Sequence, residues 1–204
     1  MKSWSFAVAA IVEVALRGMA FAADARFPDW PCAQIKVPQL SVAAVWAGPP
    51  IDDVESTWEK DPAVRELVAR AAARRTPLND AQKAVSDFIA SNADERQQKG
   101  KLLFAGLFQT LDHERSLVMN GIERFSRRQR EFAASIRAET LELRNLQDAA
   151  DHDRGKAEEL ANRVEWDTRI FEERKKTISY VCEVPVLIEQ RLFALARTIQ
   201  ESFE

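Results

Sequence analysis

The sequence predicts an all-α protein built on one long antiparallel helical hairpin, and three observations carry that prediction. The 204 residues hold six glycines and one tyrosine, a poor supply of turn and strand formers for a β-rich chain. Apolar residues recur in alternating steps of four and three from Phe104 to Ile199, which is the 3.5-residue period of a coiled coil. Five of the eight prolines fall between residues 28 and 50, so helix breakers are concentrated in one segment.

The same composition narrows the chemistry. Two histidines and two cysteines leave few catalytic bases or metal ligands. No glycine-rich phosphate loop, G-x-S-x-G or H-E-x-x-H occurs. No enzyme and no resident cofactor are expected.

Residues 1–22 begin with Lys2, continue through an apolar stretch from Trp4 to Val12 and end on Ala20-Phe21-Ala22. The pattern predicts an export signal cleaved near Ala22 and a periplasmic protein. Glu13 and Arg17 interrupt the apolar run, which also fits an amphipathic helix. No uninterrupted apolar run approaches the ~20 residues that cross a bilayer, so no transmembrane span is expected. Cleavage leaves 27 basic and 31 acidic side chains, a balance too acidic to attract nucleic acid.

Cys32 and Cys182 are the only cysteines, and in an exported chain an even pair predicts a disulfide. Closing a loop of that length limits the unfolded chain by at most about 5 kcal/mol.

The first element after the signal, residues 23–50, is expected to be an extended, proline-rich strap. Its Ile35, Val37, Leu40, Val42, Val45 and Trp46 are too apolar for a solvated linker. Residues 51–93 are expected to form the short helices of the base. Asp61 before Pro62 is an N-cap with proline at the first helical position, and Val64, Leu67, Val68 and Ala71 share one face. A second helix is expected from an Asn79 cap with Gln82 as capping-box partner, presenting Val85, Phe88 and Ile89. Thr76-Pro77 separates the two, and a further turn of helix is expected around Asp52 to Trp58.

Residues 94–204 hold the heptads. From Phe104 to Leu146, ten of thirteen seam positions are apolar, the exceptions being Arg115, Gln129 and Glu139. A straight helix pairing two chains satisfies this pattern, as does a hairpin turning near residues 148–155. The hairpin is preferred, because folding about the midpoint sets Ile122 opposite Val181, Phe125 opposite Ile178, Phe132 opposite Phe171, and Gln129 opposite Arg174. Gly155 serves as helix-ending material, and Pro185 is expected to kink the second arm or divide it.

Residues 123–176 carry 26 charged side chains in 54, thirteen of each sign, as befits a stalk covered by one partner helix. Leu103, Leu107, Leu187 and Phe193 widen the apolar surface towards the base, where the short helices and the strap are expected to cover them.

Candidate site residues are few. Arg124, Arg127, Arg128 and Arg130 form the densest basic run, and Arg130 is expected to pair across the hairpin with Glu173. Asp148, Asp151 and Asp153 make an acidic turn that lacks the calcium-loop glycine and terminal glutamate. His113 has no second histidine or cysteine one turn away and reads as a surface residue. The architecture resembles that of hairpin chaperones, which implies a client-holding role. The expected function is that of an exported interaction, scaffold or chaperone-like protein with protein partners in the cell envelope, as monomer or homodimer. The alternative is a metal- or small-ligand-binding protein.

Overall fold

The computed structural model describes residues 25–149 and 153–203. The expected export signal and Asp151 lie outside the described residues. Among those described there is no strand, and five α-helices follow in order: α1 (Val42–Val45), α2 (Pro62–Ala72), α3 (Leu78–Ser91), α4 (Arg96–Asp148) and α5 (Arg154–Glu201). Single 3-10 turns occupy Trp58–Lys60 and Ala93–Glu95.

The heptads produce the hairpin. Its arms α4 and α5 have 53 and 48 residues, about 80 and 70 Å at 1.5 Å per residue. They are antiparallel: Gly100 lies against Phe203 and Ile199, Arg115 pairs with Glu189, and the Arg174 guanidinium sits 5.3 Å from the Phe132 ring centre. Along the stalk, Phe125, Phe132, Ile136, Leu143 and Leu146 are half-buried, and most residues between them are exposed. That is the burial one partner helix can supply.

Local chemistry sets the ends of the arms. Asp153 caps α5, its side chain accepting from the Gly155 and Lys156 amides at 3.0 and 3.1 Å. Gly155 therefore stands in the first turn of α5 and does not end a helix. Pro185 does not divide the arm, because α5 runs through it with the proline ring buried. Its missing N–H removes one bond to the preceding turn, and in that loosened turn the Cys182 carbonyl accepts from the Gln34 side-chain amide. Ile122 packs with Trp30, Met119 and Ile178, and Val181 is exposed. The strap therefore shares this layer with the two arms through Trp30.

At the base the hairpin needs wider cover and receives it. Phe104, Leu107 and Leu111 of α4 and Ile188, Leu192, Leu195 and Ile199 of α5 are fully buried beneath α2, α3 and the strap. Asp61 caps α2 as expected, accepting from the Ala63 and Val64 amides. The helix α3 starts at Leu78 after Pro77, with no side-chain cap. Gln82 instead donates to the Thr198 hydroxyl of α5, so a tertiary bond replaces the expected capping box. Residues 52–57 form turns, and α1 interrupts a strap expected to be extended throughout.

Two residues fix how closely the short helices approach. A Cβ at Gly106 would stand 2.7 Å from both the Trp58 ring and Val68 Cγ2, so only glycine allows this contact. Arg191 is buried and donates to the Ala71 and Thr76 carbonyls at 2.7 and 2.8 Å, satisfying one group at the end of α2 and one in the turn before α3. Burial pushes the pKa of this guanidinium down, against the smaller opposing influence of Glu114.

Gly106→Ala is expected to lower unfolding stability by about 1–3 kcal/mol in urea titration, as overpacking does. Gly121→Ala, whose Cβ would meet only the tip of Arg124 at 3.9 Å, should be neutral or stabilising by up to ~1 kcal/mol. Arg191→Leu removes the donor to the Ala71 and Thr76 carbonyls and should cost about 2–4 kcal/mol by the same measurement.

Candidate functional site

The strap and the flank of α5 beside it concentrate the features that α-helical packing alone does not explain. The strap runs antiparallel to α4, from the root of the stalk towards the base. Its first hold is Asp29, whose carboxylate accepts from Arg127 at 2.7 Å and also from Arg130, while Arg130 donates again to the Pro28 carbonyl at 3.0 Å. The Trp30 ring is buried on Met119 and Ile122, and its indole N–H donates to the Gln34 carbonyl at 2.8 Å.

Two residues further on, Cys32 and Cys182 form the expected disulfide, with their Cα atoms 5.6 Å apart. Lys36 pairs with Glu123 and lies 4.7 Å from the Phe27 ring centre. The Val37 carbonyl then accepts from Arg115, which is 2% exposed and also pairs with Glu189. The final hold is Trp46, stacked on Phe104 at 4.1 Å. Between Asp29 and Trp46 the strap thus passes about 40 Å of α4.

Arg115 interrupts the heptad seam because its side chain serves the strap. A charged group there would be costly without partners; Glu189 accepts from its Nε and the Val37 carbonyl from its Nη2, while Nη1 is buried without a hydrogen-bond partner among the described residues. The basic run is also explained differently from expectation. Arg130 does not reach Glu173, which pairs with Lys176 at 2.7 Å, because Asp29 of the strap lies nearer. Arg124 and Arg128 are exposed. Asp148 ends α4 in solvent and Asp153 caps α5, so these acids sit at helix ends. His113 is exposed. Among the described residues no group of three or more His, Cys, Asp or Glu side chains could hold a metal ion, and no helix is long and apolar enough to cross a membrane.

Sequence reasoning missed the outer flank of α5. Leu187 is 55% and Phe193 44% exposed, although the strap and short helices were expected to cover both. The strap lies to one side of them and α2 and α3 to the other. Between strap and α5 is a groove of about 630 Å3, with Pro31, Ala33, Ile178, Val186, Leu187 and the disulfide among its lining and Glu183 as its one charged residue. The signal available in the sequence was an apolar helix too broad for the number of elements able to cover it.

The arginines facing Asp29, Arg127 more than Arg130, hold its carboxyl below the ordinary carboxylate range. A depressed carboxyl stabilises the fold above its unfolded pKa, and that contribution fades as pH falls through its folded value. The stability difference between the wild type and Asp29→Asn should be constant from pH 7 to 5 and shrink below about pH 4. Denaturant titrations at each pH measure it, and a difference that stayed constant into acid would exclude this clamp. No family model, curated protein or solved structure matches this chain.

Proposed function

We propose that the protein is an exported, non-enzymatic helical scaffold of the periplasm that works by binding another protein. The observation that carries this reading is the groove between the strap and α5, lined by the exposed Leu187 beside a fully buried core, with Ile35, Tyr180 and Phe193 also exposed on the strap and α5. Leu117, Leu141 and Trp166 are exposed elsewhere on the hairpin, and it is the concavity beside Leu187 that favours an interaction site over a solvated face. The disulfide supports export, since such bonds persist chiefly in oxidising compartments. The stalk suits a spacer or arm better than an electrostatic docking surface. Many of its charges are neutralised locally, as in Arg163 with Glu159, Arg169 with Glu165 and Lys175 with Glu172.

Crosslinking of the oxidised full chain in the intact envelope should recover a defined protein partner. The same partner should be lost when the chain is unfolded before crosslinking. A hairpin-tip deletion shows which part binds: retention places the contact on base and strap, and loss places it on the stalk. Recovery of no specific protein would refute the scaffold reading.

A further inference from the structure

The groove between the strap and α5 has a shape and a charge that together specify an occupant. Val186 and Leu187 supply apolar floor, and Phe193 lies seven residues from Val186, on the same side of the helix. Tyr180 stands seven residues before Leu187 and extends the same face towards the stalk, while Ile35 adjoins Gln34 in the strap wall. Leu187 lines the groove, whose volume is about 630 Å3, and Ile35, Tyr180 and Phe193 are exposed on the strap and α5 outside its lining. A concave site of this size fits an inserted chain segment better than the face of a second folded body.

Charge narrows the choice. Glu183 is the groove's one charged lining residue and is exposed. Among the described residues it makes no ion pair, whereas Glu172, Glu173 and Glu189 on the same helix are each paired. A carboxylate beside an apolar trough favours a cation on whatever enters it. The strap wall adds polar capacity, because the backbone amides of residues 32–36 donate to no protein group among the described residues. An incoming segment can accept these donors with its own carbonyls.

We propose that this groove docks a short segment of a partner protein that carries apolar anchors next to a lysine or arginine. The anchors lie against Leu187 and the Cys32–Cys182 bond, and the cation meets Glu183. This inference rests on the reading of the protein as a binding scaffold and names the chemistry of its partner.

A displayed library of random peptides, selected on the oxidised full chain, tests it. Enriched peptides should combine apolar residues with a basic one. Their affinity should fall about tenfold on Glu183→Lys, roughly 1.4 kcal/mol, and be lost on Leu187→Glu. Both positions are exposed, so both variants should keep the wild-type helical circular dichroism. Enrichment of acidic peptides, or binding indifferent to both substitutions, would overturn the proposal. So would a dimer seen by light scattering that Leu187→Glu disperses, since a second copy would then own the groove. If the library yields nothing while crosslinking in the envelope still recovers a partner, the groove proposal fails and the scaffold reading stands.

Discussion

Two paired helices can bury one stripe of each, and in this chain the apolar stripe changes width along its length. In the stalk it is narrow, and residues such as Phe132 and Ile136 are half-buried by the opposite arm alone. Towards the base it widens until Phe104, Leu107, Leu192 and Leu195 have no exposed surface left to lose. Each fully buried side chain of this kind contributes about 1.5–3 kcal/mol relative to exposure, which the hairpin cannot collect unaided. The short helices and the strap exist to close that widening, and their positions follow from where it occurs.

The joins are made by polar groups that meet needs the main chain has left open. Arg191 reaches a carbonyl at the end of α2, Gln34 reaches a carbonyl in the turn that Pro185 loosens, and Arg115 reaches the Val37 carbonyl of the strap. Each is a long-range bond between a side chain and a backbone group. Apolar burial holds the elements together with little regard for register, and these bonds select one arrangement among several of similar burial. The Gly106 contact with Trp58 does the same through shape.

What the sequence made legible divides along this line. The hairpin, the Asp61 cap and the Cys32–Cys182 pairing were readable because they rest on periodicity, on local capping chemistry and on there being only two cysteines. The strap's path was not, since it depends on single contacts between residues far apart in the chain. Arg115 was visible as a break in the heptads, but nothing nearby in sequence showed that Val37 and Glu189 would pair with it. The same reasoning placed Arg130 opposite Glu173, because helix pairing was the only partner then in view. The open flank of α5 escaped for a related reason: apolar composition reveals a demand for cover, and only the placement of strap, α2 and α3 reveals that the cover runs out.

The disulfide also decides how the molecule carries load. Tension applied to the chain just before Trp30 passes first through the Asp29 clamp and then across Cys32–Cys182 into the middle of α5. From there it continues along the hairpin without crossing α2 or α3. The short helices α2 and α3 are outside the force path, and the non-covalent holds ahead of the disulfide are the Asp29 clamp and the Trp30 contact with Met119 and Ile122. A partner held in the neighbouring groove would sit at the anchoring point itself, where the chain is least able to yield.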